Sequence, residues 1–594
     1  MSVEERKSSM PFDGLVMAAV RKELESELLD GRIDRIYQPS PLEIHLLIHR
    51  PGTRARLLLS AHPENARVHL TGRVRENPPS PPVFCMVLRK HLEGGRIRGI
   101  QQRGLDRVLV FQVQSYNDLG EPSLKELVCE IMGRHSNIIL VNPGTKQIID
   151  AIKRYTYAVS RHREVLPGRE YIPPPEQHKL NPLELKEEEF RQALLEAPLE
   201  TPVAAILQRI LDGISQVMAR EILYRAGLAQ DLILDHCGEH ELVVLWQAIQ
   251  QMAGAIARGE FQPSLVLDEQ GRPREFAAFD LTHFHPLTRR QGTMNTLVDL
   301  FYTAREEEQD YQSKKQSLLT VVRREMGRLS QKLSLQEESL AKAERADEYR
   351  IFGELIMANL YRLEKGLSEV TLENFYDPGK KMVIISLDPR LKPVQNAQAY
   401  FKKYTKAKQT REETGNRIEQ TQRELEYLKG VETAIIQATT VPELVEIREE
   451  LEEQGYLKPA NREKKREPEK PRPLVFTSSD GFTILVGRNN KQNDYLTLRL
   501  ARGEDVWLHT RDIPGSHVLI RTGGRTVPET TLAEAASLAA YFSRARESQN
   551  VPVDYTLRRN VHKPRGARPG YVIYTGQRTL TVNPDQELVE RLKA

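Results

Sequence analysis

Two heptad seams lying far apart in one chain restrict its fold more than any other feature. Leu319, Met326, Leu333 and Leu340 step by seven with Val322 and Leu329 between them, and the pattern returns at Ile418, Leu425, Leu428 and Ile435. Glu, Lys, Arg and Gln fill most other positions, so each segment carries one narrow apolar stripe that needs a cover. The second stripe can cover the first, which predicts an antiparallel coiled-coil hairpin with arms over 301–345 and 396–455. Arms of about 40 residues at 1.5 Å per residue reach roughly 60 Å. The alternative is a pair of long bundle helices. The heptads break over Tyr349–Leu363 and Asn374–Lys408, where Met382-Val383-Ile384-Ile385 reads as a strand and prolines punctuate the run from Leu387 to Pro393. A small middle or tip element is therefore expected at 346–395.

The remaining sequence divides around that hairpin, because 594 residues are too many for one core. Residues 1–175 alternate predicted strands (Ile33–Gln38, Glu43–His49, Arg56–Ser60, Arg107–Gln114, Asn137–Val141) with short helices such as Phe84–Leu92. Residues 180–262 read as helical, and Gly213-Ile214-Ser215 forms a glycine turn between two short helices. That is the pattern of a helix-hairpin-helix, whose backbone amides can meet a phosphate, or of an ordinary bundle corner. A connector over 263–300, a solvated linker over 456–473 and an α+β C-terminal domain over 474–594 complete the expected architecture. The formal net charge of +4 conceals two basic ends around an acidic middle, a distribution suited to polyanion-facing modules on a spacer. Cys85, Cys129 and Cys237 are widely spaced, arguing for a reducing compartment. The first residues make a poor signal peptide, and no apolar run has membrane-spanning length, so a cytoplasmic protein with no membrane partner is expected.

Polar motifs concentrate at the two basic ends. Glu504–Arg521 reads EDVWLHTRDIPGSHVLIR and gathers Trp507, His509, Gly515, Ser516 and His517 around a Pro-Gly-Ser turn. Arg488, Asn489 and Asn490 precede it, and Lys563 and Arg565 follow it. One reading is a loop whose amides, imidazoles and cations meet RNA; the other is a strand–turn–strand around a buried tryptophan. The cations Arg558, Arg559, His562, Lys563, Arg565 and Arg568, interleaved with Pro, Gly and Tyr571, suit an RNA backbone with stacked bases. At the N-terminal end, Asp106-Arg107 stands at a strand entrance and reads either as a base-and-phosphate contact or as a surface ion pair. Glu130-Ile131-Met132-Gly133-Arg134-His135 surrounds a second glycine, at a polar contact site or at a capped bend. His236, Cys237 and His240 lack a second ligand pair for zinc. No phosphate loop, dinucleotide fingerprint, zinc-protease helix or nucleophile elbow is present, so neither a cofactor nor a catalytic residue is expected.

Taken together, GRNNKQNDYLTLRLARGEDVWLHTRDIPGSHVLIR, DPRLKPVQNAQAYFKKYTKAK, MPFDGLV, GLDRVLVFQV and EIMGRHSNIILV resemble the RqcH/NEMF family of NFACT-domain proteins, also labelled fibronectin-binding protein A. The resemblance covers nearly the whole chain. It implies a multidomain α+β fold: a glycosylase-like α/β NFACT-N domain, a helix-hairpin-helix bundle, a long antiparallel coiled coil with a tip element, and an α+β NFACT-R domain. It also implies a ribosome quality control factor without an enzymatic centre. Such a factor binds obstructed large ribosomal subunits that carry peptidyl-tRNA and a nascent chain. It recruits alanyl-tRNA for template-free alanine tailing, leaving bond formation to the ribosome. By motif, Asp106, Arg107, Glu130, Ile131 and Met132 correspond to the family's tRNA-binding residues. Formamidopyrimidine-type DNA glycosylases, related to the NFACT-N domain, use an N-terminal proline amine; Ser2 stands there and Pro11 lies inside, which speaks against that chemistry. A fibronectin-binding adhesin and a DNA-processing protein are the alternative readings.

Overall fold

The computed structural model describes residues 12–116, 120–158, 162–459 and 472–593, so Ser2, Pro11 and most of the expected linker lie outside the described residues. The chain forms two compact units that divide between Glu308 and Gln309.

In the first unit, helix α1 (Gly14–Leu28) precedes strands β1 (Arg32–Ser40), β2 (Glu43–Arg50), β3 (Thr53–Ser60) and β4 (Arg67–Leu70). Helix α2 (Val83–Leu92) and strands β5 (Arg96–Gln102), β6 (Val108–Tyr116), β7 (Pro122–Glu130), β8 (Asn137–Asn142) and β9 (Gln147–Ala151) follow. They make one nine-stranded sheet in the order β4-β3-β2-β1-β5-β6-β7-β8-β9, with every neighbouring pair antiparallel. The expected α/β character is therefore corrected: two antiparallel runs, β1–β4 and β5–β9, each need only hairpin turns and are joined by one crossover through α2, so helices do not alternate with strands. Both faces of β6–β8 are covered, one by a core shared with α1 and α2, the other by Ile139, Val141, Ile148 and Val165. Their near-continuous apolar runs follow from that double burial.

Helices α3 (Glu187–Leu195), α4 (Val203–Ile210), α5 (Gln216–Arg225) and α6 (Glu239–Arg258) pack into the same core as α1 and the sheet, joining the two expected N-terminal domains. Ser215 caps α5 through Met218 N–H. Strands β10 (Ser264–Leu267), β11 (Pro273–Ala277) and β12 (Arg289–Gln291) form a three-stranded sheet before helix α7 (Met294–Glu344) begins. The Glu23 carboxylate accepts hydrogen bonds from Met294 N at 2.5 Å and Asn295 N at 2.9 Å, satisfying amides that no earlier turn can reach.

In the second unit, the heptad residues Leu319, Val322 and Leu329 of α7 meet Leu425, Leu428 and Ile435 of α9 (Pro393–Gln437). Lys315 donates to Ile436 O at 2.7 Å and Arg323 pairs with Glu432 at 2.7 Å, so the helices run antiparallel. Leu340 and Ile418 are half-buried and lie outside this apolar cluster. Helix α9 starts at Pro393, so the second arm begins slightly before the expected residue 396 and takes in the end of the expected tip. The second arm is broken: after Gln437 the chain turns into α10 (Val441–Glu453). At the tip, α8 (Ala346–Ala358) packs with the hairpin β13 (Glu369–Glu373) and β14 (Met382–Ser386) around Leu355, Ile356 and Ile385.

The C-terminal domain is a six-stranded sheet, order β15-β16-β18-β17-β19-β22, from β15 (Leu474–Thr477), β16 (Thr483–Val486), β17 (Val506–Thr510), β18 (Val518–Ile520), β19 (Val551–Leu557) and β22 (Arg578–Val582). Helix α11 (Asn490–Tyr495) runs into a π-helical turn over Leu496–Leu500. Helix α12 (Glu529–Tyr541) lays Ala535, Ala536, Ala539 and Ala540 on the sheet, with α13 (Gln586–Leu592) beside it. A separate ribbon joins β20 (Val561–His562) to β21 (Ile573–Tyr574).

Candidate nucleic-acid interfaces

Pairing of β6 with β7 brings the two N-terminal motifs together. Val108 stands opposite Glu130, and just beyond that pair Ile131 N donates to Arg107 O at 2.9 Å. Asp106 and Arg107 are half-buried. Their turn is held from behind: Gln102 Nε2 donates to Asp106 O at 3.0 Å and Gly14 O at 2.9 Å, and Leu105 N donates to Asp212 Oδ2 at 3.2 Å. Gly213 has φ +76°, and a Cβ there would stand 2.7 Å from Leu105 Cβ. The helical-hairpin turn therefore buttresses the Asp106-Arg107 loop by close approach. The phosphate reading of its glycine is corrected on this packing.

Glu130 and Ile131 are fully buried, so as placed they cannot touch a tRNA, and the direct-contact reading of both is corrected. Arg163 grips Glu130 with Nη1 on Oε1 at 2.8 Å and Nη2 on Oε2 at 2.5 Å, and the Tyr171 hydroxyl donates to Oε1 at 2.9 Å. Burial works against the Arg163 charge, but the Glu130 hydrogen bonds and charge outweigh it and raise its pKa further. Burial, then Glu130, push the Tyr171 hydroxyl upward. This bidentate pair anchors the following turn. Met132 N donates to Ser136 Oγ at 2.7 Å and Lys153 N to Asn137 Oδ1 at 3.0 Å; Met132 remains half-buried while Arg134 and His135 are exposed. Arg163 and Tyr171 escaped the sequence reading because nothing local ties them to Glu130.

In the C-terminal domain, Trp507 is wholly buried, its Nε1 donating to Thr497 Oγ1 at 3.2 Å, and His517 Nδ1 lies 2.8 Å from the same hydroxyl. His509, half-buried, stacks on the Trp507 ring; burial pushes its pKa down to about 4 and that of His517 well below the ordinary range. Gly515 lies where a Cβ would meet Ser543 Cβ at 2.8 Å, and Ser516 is buried with its N–H on Phe542 O at 3.0 Å. The strand–turn–strand reading is the one observed. The contact role of Trp507, Gly515, Ser516 and His517 is corrected, since these residues build the domain's interior, and His509 sits against that interior as a neutral ring.

The Arg488-Asn489-Asn490-Lys491 run turns onto one face of α10. Arg488 pairs with Glu443, Asn489 Nδ2 donates to Glu446 at 2.7 Å, Asn490 Nδ2 to Glu450 at 2.9 Å, and Lys491 pairs with Glu453 at 2.7 Å. These acids recur at helical spacing, and Glu443 and Glu450 are buried. Their carboxylates occupy the donors that the RNA reading offered to phosphate, so as placed Arg488, Asn489 and Asn490 dock the domain on α10. Lys563 is likewise engaged by Asp494, whereas Arg565 is exposed. Among the described residues no group of three His, Cys, Asp or Glu side chains is placed to hold a metal, and no helix is long and apolar enough to cross a membrane.

Residues 13–470 match the NFACT N-terminal and middle domains, and residues 472–580 match the NFACT protein RNA binding domain. The chain belongs to the NFACT family. Within it, the Rqc2 homolog RqcH of Bacillus subtilis (strain 168) is 40% identical over 98% of this chain and 100% of its own. The Rqc2 homolog RqcH of Streptococcus suis (strain 05ZYH33) is 38% identical over 98% and 100%. Among solved structures, the C-terminal part of the fibronectin/fibrinogen-binding protein from Streptococcus suis covers 48% of this chain and 99% of its own, with 36% identity and a TM-score of 0.39.

Proposed function

We propose that this NFACT protein is a ribosome quality control factor that binds obstructed large ribosomal subunits carrying peptidyl-tRNA. It recruits alanyl-tRNA there for template-free C-terminal alanine tailing, which marks the stalled nascent chain for degradation. The peptidyl transferase centre of the ribosome forms the bonds, and the protein contributes binding and orientation in the cytoplasm. The observation that carries this reading is the meeting of Asp106-Arg107 with the Met132–Ser136 turn at one end of β6 and β7. Full-length likeness to RqcH supports it. Asp106 supplies a carboxylate for base or ribose donors, and Arg107, Arg134 and His135 supply donors for phosphate. Glu130 and Ile131 act from behind by fixing the turn.

Asp106→Ala combined with Arg107→Ala tests the reading. Alanine tails on stalled reporters, read by mass spectrometry, should disappear while the thermal melt stays within a few degrees. Persisting tails would remove this pair from tRNA recruitment. Co-sedimentation with large subunits, lost at high salt, separates the reading from a surface adhesin, which would be recovered outside the cell.

A further inference from the structure

The cations and aromatics of the Arg558–Tyr574 segment split into an inward and an outward set. Arg568 turns in: its Nη2 lies 3.0 Å from Glu424, its Nη1 2.5 Å from the Tyr456 hydroxyl, and its guanidinium covers the Tyr427 ring at 4.9 Å. Lys563 pairs with Asp494, whose other oxygen accepts Gly570 N at 3.1 Å. Gly570 has φ +79° and lies where a Cβ would stand 2.5 Å from Asn490 Oδ1. The loop between the two ribbon strands is thus pinned, and these cations are already neutralised.

The ribbon strands alternate. Val561 pairs with Tyr574, and both point inward; Tyr574 packs on Trp507 with ring centroids 5.0 Å apart. His562 pairs with Ile573 on the opposite face. Ile573 is 51% exposed, and Tyr571, two residues earlier on the same alternation, is 44% exposed. Neither His562, Arg565 nor Tyr571 has a side-chain hydrogen bond or ion pair among the described residues. Tyr571 and Ile573 thus hold a ring and an aliphatic side chain in water, and the same segment offers the His562 imidazole and the Arg565 guanidinium with no side-chain partner among the described residues. The buried Trp507 block forms the floor beneath them.

We infer that this outward ribbon face binds single-stranded RNA, stacking an unpaired base on Tyr571 and holding the adjoining phosphate with Arg565. Charge complementarity selects the occupant, because the free cation wants an anion and the ring wants a flat apolar partner, and a nucleotide supplies both. The inference rests on the reading that the protein engages RNA, and is independent of alanine tailing.

The test uses the full chain and an oligouridine of about 12 nucleotides, a length within the usual single-strand site range. One central base is replaced by 2-aminopurine, whose fluorescence is quenched on stacking. Tyr571→Ala should weaken binding about tenfold and lose the quenching, and Tyr571→Phe should keep both. Arg565→Ala should weaken binding and lower the salt slope by about one. Unchanged affinity and quenching in Tyr571→Ala would overturn the inference, as would an oligoglutamate that outcompetes RNA on the parent but not on Tyr571→Ala. Absent tailing with Tyr571-dependent quenching intact would sink the proposed function and leave this site standing; tailing without such quenching would do the reverse.

Discussion

Glu130 and Glu275 are carboxylates drawn out of water in the same compact unit, and they differ in what receives them. Glu130 meets a guanidinium fork and a phenol. Glu275, on β11, has a buried Oε1 with no hydrogen-bond partner among the described residues. Burial, and to a lesser extent the Asp13 charge, push its pKa up to about 7 against an ordinary 4.5. The folded chain therefore holds a proton that the unfolded chain has released between those values. Stability falls as pH rises through that window and levels off above it. Glu275→Gln replaces the charge with a neutral isostere, so at pH 8 it should raise unfolding stability by about 1–3 kcal/mol and leave stability at pH 4 nearly unchanged. Urea melts at both pH values check this, and an equal shift at both would show that charge is not the cause.

Among the elements, α7 shows how a helix can be set from outside itself. Glu23 on α1 caps Met294 N and Asn295 N, and Asn295 Nδ2 also donates to it at 2.7 Å. Its negative charge sits at the positive end of the helix. Arg67 then pairs with Glu306 at 2.7 Å and covers Tyr302. Glu23→Ala should cost about 1–2 kcal/mol, with hydrogen exchange accelerating first at the amides of Met294 and Asn295; exchange that is uniform along α7 would refute the cap. The heptads of α7 and α9 were legible because a narrow stripe between charged residues admits few folds. Helix α1 was missed because its first half is buried on every side and shows no period. β5 was missed because RIRGIQQ carries few apolar residues. In Glu504–Arg521 the residue types suited a core but pointed more to an RNA loop. What decides is non-local: Thr497 on a π-helical turn accepts from Trp507 Nε1 and meets His517 Nδ1, and Tyr574 covers the ring. The acids that claim Arg488–Lys491 likewise lie about 40 residues upstream, although their spacing on one face of α10 was readable.

At the scale of the whole chain, the two candidate RNA-facing surfaces belong to different compact units, one within residues 1–308 and the other within 309–594. Changes at distant sites that share no partners add in free energy within about 0.5 kcal/mol, whereas sites coupled through a contact network or a backbone shift depart from the sum. Asp106→Ala with Arg107→Ala, Tyr571→Ala, and their combination form a cycle for binding to large ribosomal subunits that carry tRNA. The expected result is additivity, so fold-losses that multiply: two tenfold losses would give about a hundredfold. The same cycle on oligouridine should show only the Tyr571 effect. A combined loss on subunits well below the product would mean that the two surfaces are engaged alternately rather than together, and would require one RNA segment to exchange between them.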